Sequence, residues 1–482
     1  MNLRKFLFCT ALIVIAGVVL LSRPVSSSQT EKISSRVLNE TRNGGSTEAL
    51  VVLKEQADLG PAANLPTKIE KGRFVVNALR SVANRTQGPV LEFLRQRGVS
   101  YQTFYILNMI KVTGNRSLME ALAARDDVAE IDANPHVRTA LPRPTGFDLP
   151  PVKPNPEWNL KQVKATNVWN LGFHGEGMVV AGADTGVQWD HPALKNQYRG
   201  WNGSQVDHDY NWHDASPDHS PTPVDPNSHG TFTVSEMVGY DGGSNLLGVA
   251  PRAQWIACRN MDENGTGSPQ AYTECFEFLI APYPVGQPDK GDPTKAPDSI
   301  NNSWICPPSE GCSTNTLLKI VQAVRAAGIF PAMAAGNDGS SCSTVDTPPA
   351  IYAAAVSVGA TDSANNIASF SSRGPVTADG SNRLKPELSA PGVSIRGAVP
   401  TNQYSSGWDG TSMATPHVAG GVALIWQAKP SLKGDITNTE KLYAKTATHL
   451  KSSQNCGGSG QNIPNNVFGY GLINLYKAVT AP

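Results

Sequence analysis

The sequence predicts an α/β fold, a mostly parallel sheet flanked by helices, preceded by a small α+β unit. Three observations lead there. From Trp158 to the C-terminus, apolar runs alternate with helical segments. Between Glu48 and Ile131 the order is strand, helix, strand, strand, helix, strand, the split βαβ, ferredoxin-like arrangement. Between the two lies residues 141–156, with six prolines in 16 residues and no periodicity, which reads as a linker.

At the N-terminus, Arg4 and Lys5 precede the apolar run 6–21, and 22–28 turns polar. This predicts a secretory signal peptide over 1–27, cleaved near Ser27. An uncleaved membrane anchor is the rival, although the run is slightly short for a span. Residues 29–46 are polar and expected to be loose. Strands are expected at 49–53, within 101–112 (two) and at 128–131, with helical spacing over 73–82, 90–95 and 118–124. The folded part of the unit 28–140 is therefore about 47–138.

In the large unit, 157–482, strands are expected at 178–183, 254–258, 299–303, 329–332 and 355–359. Helices are expected at 229–238, 268–280 and 314–327, the last with Thr314 as a cap. A turn of small residues, 410–415, runs into the apolar segment 422–426, placing Ser412 and Pro416 in the first turn of a buried helix.

Composition excludes some functions. Lys and Arg total 40, as do Asp and Glu, so no basic surplus points to nucleic acid. Beyond Cys9, in the leader, six cysteines remain without C-x-x-C spacing, so disulfides are favoured over zinc. Six cysteines allow 15 pairings; Cys306 and Cys312, across a short turn, form the expected local bridge.

Asp184 ends an apolar strand, His229 stands where loop becomes helix, and Ser412 opens another helix. Singly each signal is weak: Asp184 reads as a loop or cap residue, Ser412 as an N-cap, and His229 is one of four histidines between 208 and 229, singled out by its His-Gly-Thr context. Together at element ends they are what a serine nucleophile needs: a base for the hydroxyl proton and a carboxylate to orient that base. Asn337, on the glycine-flanked turn 336–339, offers a side-chain amide to an oxyanion beside the Ser412 N–H. His417, five residues past Ser412 on the helix, reads as structural. Asp207, Asp209, Asp214, Asp218 and Asp225 read as a solvated loop rather than a metal site.

Asp184-Thr185-Gly186, His229-Gly230-Thr231 and Gly410-Thr411-Ser412-Met413-Ala414, in that order and with the Asn337 turn, resemble the subtilisin family of serine peptidases. The resemblance covers about 157–482; residues 47–138 resemble the family's inhibitory propeptide more weakly. It implies a subtilisin-like fold and a secreted serine endopeptidase made as a zymogen. In it, Ser412 is the nucleophile, His229 the general base and then acid, Asp184 its orienter and Asn337 an oxyanion donor. Ser303 and Trp304 would line the substrate cleft, with Gly265, Thr266 and Gly267 as its other edge. The propeptide would assist folding, inhibit by blocking the cleft, and be cut off in the linker. The implied partners are protein or peptide substrates, with a monomer, no nucleic acid and an extracellular or periplasmic location.

Three departures stand out. Ile305 and Cys306 stand where relatives usually have glycines along the primary specificity pocket, so a branched side chain is expected to narrow or reshape it, and the family's preference does not transfer. Phe232 replaces a histidine three residues after His229. Gly242 and Ala193 stand where relatives place calcium ligands, so the usual calcium site is expected to be lost; no cofactor or metal is expected for catalysis. An aspartic peptidase would need two Asp-Thr-Gly motifs, within one chain or across a dimer, and the chain has only one. A non-enzymatic scaffold is disfavoured by the retained catalytic set, and neither Gly-x-Ser-x-Gly at Ser412 nor His-Glu-x-x-His is present.

Overall fold

The computed structural model describes residues 31–138, 141, 142, 146, 148 and 155–482. The expected leader and most of the Pro-rich segment lie outside them.

The N-terminal unit is a four-stranded antiparallel sheet in which Ser46–Leu53 lies between Met109–Asn115 and Val128–Ala133, with Tyr101–Phe104 at the edge beside Met109–Asn115. Its long helix, Lys68–Thr86, starts at a capping box in which Thr67 and Glu70 satisfy each other's backbone N–H. Asn115 caps the helix Arg116–Ala123. Strand alternation divides the sheet. Val51, Ile110 and Ile131 pack into a core under the short helices, whereas Leu50, Val52 and Met109 share a core with the large unit. The stretch 29–46 is not loose throughout: Ser35–Glu40 is helical, Val37 is buried, and Ile33 bridges to Ile131.

The large unit holds a seven-stranded parallel sheet. Its order is Leu388–Pro391, Val356–Thr361, Phe330–Ala334, Ser299–Asn302, Val179–Asp184, Gln254–Arg259, Trp212–Asp214. Strand order reverses between Val179–Asp184 and Ser299–Asn302, and such a switch opens a crevice at the carboxyl ends. Alternating side chains cover both faces. Ala181 and Ala183 meet helices Pro269–Ile280 and Leu318–Ala326, while Val180 joins a core with His229–Val238 and Thr411–Ala428. All ten residues of His229–Val238 are buried, as are Thr411 to Trp426. Such all-round burial explains why the latter segment is apolar on every face.

The expected strands and helices form, with three differences. Trp212–Asp214, Leu388–Pro391 and the hairpin Ile395–Val399 with Gln403–Trp408 are additional strands. The 314–327 helix begins only at Leu318, and Thr314 does not cap it. Instead Ser313 and Thr316 close a separate turn, with Ser313 N–H on Thr316 Oγ1 at 2.7 Å, just after the bridged Cys312. Pro416 lies beyond the first turn, as the sixth residue of its helix. Disulfides join Cys306 to Cys312, as expected, and also Cys258 to Cys275 and Cys342 to Cys456. Among the described residues no helix is long and apolar enough to cross a membrane.

Candidate active site

Asp184 is the last residue of the strand Val179–Asp184, and its neighbours explain the glycines in both local motifs. A Cβ on Gly186, whose φ is +111°, would sit 1.8 Å from the Val224 carbonyl oxygen. A Cβ on Gly230 would meet Gly186 O at 2.1 Å. The two turns approach backbone to backbone, which only glycine permits. The Asp184 carboxylate, thereby brought to the His229 helix, accepts His229 Nδ1–H at 2.7 Å and Thr185 N–H at 2.7 Å on Oδ1. Both side chains are buried. With Nδ1 donating, Nε2 is the accepting nitrogen; it is buried with no hydrogen-bond partner among the described residues.

The loop ahead of His229 is held by Asp225. Its carboxylate accepts Thr185 Oγ1–H, the N–H groups of Asn227, Ser228 and Thr231, and Thr231 Oγ1–H, at 2.6–3.0 Å. Burial raises its pKa, while these donors pull the other way. Ser228, at φ +100°, is held in a backbone conformation that side chains rarely adopt. The sequence suggests a solvated loop for Asp225; it is instead a buried tie between the Asp184 and His229 turns. Asp214 is likewise buried and pairs with buried Arg259 at 3.3 Å. Among the described residues no group of three His, Cys, Asp or Glu could hold a metal ion.

Ser412 is the second residue of Thr411–Ala428, and Gly410 takes the N-cap position. Its N–H therefore belongs to the first turn, where no intrahelical acceptor exists. Pro416 has no N–H to offer the Ser412 carbonyl four residues back. Ser303 takes that place, donating Oγ–H to Ser412 O at 2.9 Å. In return, Ser412 Oγ–H donates to Ser303 O at 3.0 Å.

Asn337 Oδ1 accepts both Thr411 N–H and Thr411 Oγ1–H at 2.9 Å, while Thr411 Oγ1 accepts Gly336 N–H at 3.2 Å. The amide oxygen is thus occupied and Nδ2 is left as the donor. A cavity of about 200 Å³ is lined by Ser303, Trp304, Ile305, Asn337 and Ser412, and by Leu141 and Pro142 from the linker. Trp304 borders it, but its indole stacks on Tyr272 at 4.0 Å and donates to Ala183 O at 2.8 Å. Thr266–Gly267 pairs antiparallel with Val137–Arg138, and Gly265 N–H closes the preceding turn on Asp262 O.

A family model described as the subtilase family matches residues 175–471. The chain belongs to the subtilase family of serine peptidases. It is 35% identical to bacillopeptidase F of Bacillus subtilis (strain 168) over 93% of its own length and 32% of that protein, so it spans about a third of that relative. It is 32% identical to a subtilisin of Bacillus pumilus over 67% of this chain and 98% of the relative. Subtilisin Savinase of Lederbergia lenta is 31% identical over 67% of this chain and 97% of its own.

In the loop 240–246, where the resemblance places a calcium site, the one carboxylate is that of Asp241. Asp241 spends its carboxylate on Gly243 N–H, Asn245 N–H and Asn245 Nδ2–H at 2.6–3.1 Å, and Ala193 has no oxygen ligand in its side chain. That donor set does not fit a hard cation needing six or more oxygens. Phe232, the other departure, stacks on Trp408 at 4.2 Å, 17° from parallel, within an apolar cluster with Ile395 and Met413. Two supporting residues, Asp225 and Thr411, are not apparent from the sequence. Asp225 is tied to Thr185, 40 residues away, as well as to its own turn, and Thr411 to Asn337, 74 residues away; only Thr411's place inside the Gly-Thr-Ser motif hints at a role.

Proposed function

We propose that this subtilase is a secreted serine endopeptidase made as a zymogen, with Ser412, His229 and Asp184 as its catalytic triad. Ser412 Oγ attacks the substrate carbonyl while His229 Nε2 takes its proton. Asp184 holds Nδ1–H and stabilises the imidazolium. The oxyanion is met by Ser412 N–H and Asn337 Nδ2, and the proton then passes to the leaving amine, giving an acyl-enzyme on Ser412 that water resolves. No metal or cofactor enters any step.

The observation that carries this reading is the path of the chain itself. Val137–Arg138 adds as an antiparallel strand to Thr266–Gly267, and Leu141 follows in the cavity that Ser412 lines. A peptide substrate adding to the same edge would run its carbonyls past the nucleophile. The same contact supports reading 28–140 as an inhibitory propeptide, cut in the 141–156 linker. Secretion is supported by the N-terminal leader and by three disulfides, which form in oxidising compartments.

The test is expression of the full chain beside its Ser412→Ala variant. The parent should mature and hydrolyse peptides; the variant should accumulate uncut, with kcat lowered about 10⁶-fold, the loss seen when the same residue is removed from a subtilisin. Equal hydrolysis by both would overturn the assignment.

A further inference from the structure

Away from the cleft, the N-terminal unit makes a second contact, at the amino ends of the central strands. Asp298 is the node there. Its N–H donates to Val179 O at 2.6 Å, its Oδ2 accepts Val179 N–H at 3.0 Å, and its carbonyl accepts Phe330 N–H at 2.9 Å. One buried residue thus joins the starts of Val179–Asp184, Ser299–Asn302 and Phe330–Ala334. The first of these strands ends at Asp184; the second leads into Ser303.

The remaining oxygen, Asp298 Oδ1, makes no hydrogen bond among the described residues and faces two ammonium groups. Lys433 Nζ, of the large unit, is 3.2 Å away, and Lys68 Nζ, of the N-terminal unit, is 3.3 Å away. The Arg199 guanidinium is the third cation acting on this carboxylate. The Lys68 side chain is 11% exposed against 35% for Lys433. Lys68 also donates to Ala296 O at 2.7 Å. Its position is set by shape: a Cβ on Gly434, at φ +83°, would meet Lys68 Cβ at 2.7 Å and Cα at 2.9 Å. One turn on, Lys71 donates to Gly434 O at 2.8 Å, and Gly72 packs on Pro293.

We propose that Lys68 supplies the counter-charge that lets Asp298 be buried as the three central strands come together, so that this pair is a point through which the N-terminal unit assists assembly of the peptidase domain. Moving a carboxylate out of water is costly unless a cation accompanies it. Lys433 approaches from a partly solvated position, whereas Lys68 closes the site from the other unit. The proposal deepens the propeptide reading and is independent of hydrolysis.

The test uses the full chain as Ser412→Ala, unfolded in denaturant with disulfides intact and refolded while tryptophan fluorescence is followed. Lys68→Met is expected to slow refolding about tenfold, the signature of a contact already formed in the transition state. In an Asp298→Asn background, which removes the charge, adding Lys68→Met should change the rate less than twofold. Lys71→Met, on the same helix but bound to a carbonyl rather than a carboxylate, should refold at close to the parent rate. Failure of Lys68→Met to refold while Lys71→Met succeeds supports the proposal just as slow refolding does. An unchanged rate in Lys68→Met, an equal slowing by Lys71→Met, or an undiminished effect in Asp298→Asn would each overturn the proposal.

Discussion

Ser303 and Ser412 are tied to each other twice, each hydroxyl donating to the other's carbonyl at 2.9–3.0 Å. The Ser412 hydroxyl proton is therefore engaged by Ser303 O, while His229 Nε2 has no partner among the described residues. Attack requires rotation of the hydroxyl toward the imidazole. With Leu141 and Pro142 lining the same cavity, a serine-directed phosphonylating reagent should label Ser412 at least about tenfold more slowly in the uncut chain than in the matured protein. Mass spectrometry of timed samples measures both rates; equal rates would refute the closed arrangement.

Thr411 fixes the amide of Asn337 through its N–H and its hydroxyl. Thr411→Val keeps the shape but removes one of the two donors on Asn337 Oδ1. It should lower kcat about tenfold and leave KM nearly unchanged, while Asn337→Ala should cost about 10²–10³ in kcat, the range known from a subtilisin. A change confined to KM would place Thr411 in substrate binding instead.

Ile305 lines the cavity beside Ser412 with a branched side chain. Ile305→Gly should raise kcat/KM for peptides with Phe before the cut, relative to Ala, by about tenfold or more. Paired peptide substrates give this ratio directly, and an unchanged ratio would show that the wall lies elsewhere.

His417 is buried, with Nδ1–H donating to Met413 O at 2.9 Å and Nε2 accepting Asn159 Nδ2–H at 2.7 Å. Both nitrogens suit the neutral ring, and burial lowers its pKa from 6.5 to about 4. The unfolded chain binds this proton near pH 6.5 and the folded chain only near 4. Its contribution is therefore complete above about pH 6.5 and is lost as pH falls toward 4, amounting to about 3 kcal/mol. Urea unfolding of Ser412→Ala at pH 7 and pH 4.5, with and without His417→Gln, should show a weaker acid dependence in the double variant.

Glu236 sits inside the His229 helix, fully buried, with neither carboxylate oxygen hydrogen-bonded among the described residues. Burial raises its pKa well above the ordinary value. The folded chain keeps the proton where the unfolded chain releases it, so this residue costs stability increasingly as pH rises past about 4.5. Glu236→Leu should stabilise the protein at pH 7 by about 1–3 kcal/mol, read from urea unfolding, with the gain shrinking toward pH 4.

What is legible in the sequence follows from range. Asp184, His229 and Ser412 lie in short motifs, and in the first two the glycines Gly186 and Gly230 are required by close backbone approach, so their neighbours can be read from the chain. Cys306 and Cys312 are six residues apart and are readable for the same reason. Asp225 is not, because the bond that makes it a tie between two turns comes from Thr185, 40 residues away, and its local bonds are those of any turn aspartate. The strand Leu388–Pro391 is hidden because proline and serine break its apolar run, and only the adjoining strand makes it part of the sheet. Pro416 looks like a first-turn residue, since nothing nearby reveals that Ser303 answers the carbonyl it leaves free.

The Cys342–Cys456 bridge spans 114 residues of sequence, and the loop it closes contains the hairpin Ile395–Val399 with Gln403–Trp408 and the whole Ser412 helix. A peptidase is exposed to its own copies, and a surface loop such as 377–384 is a natural place for self-digestion. One cut anywhere between the two cysteines leaves both pieces tethered, with the fragment that carries Ser412 still attached. Nicking and inactivation are thereby uncoupled, and a molecule that runs as two bands after reduction can still be one working enzyme before it.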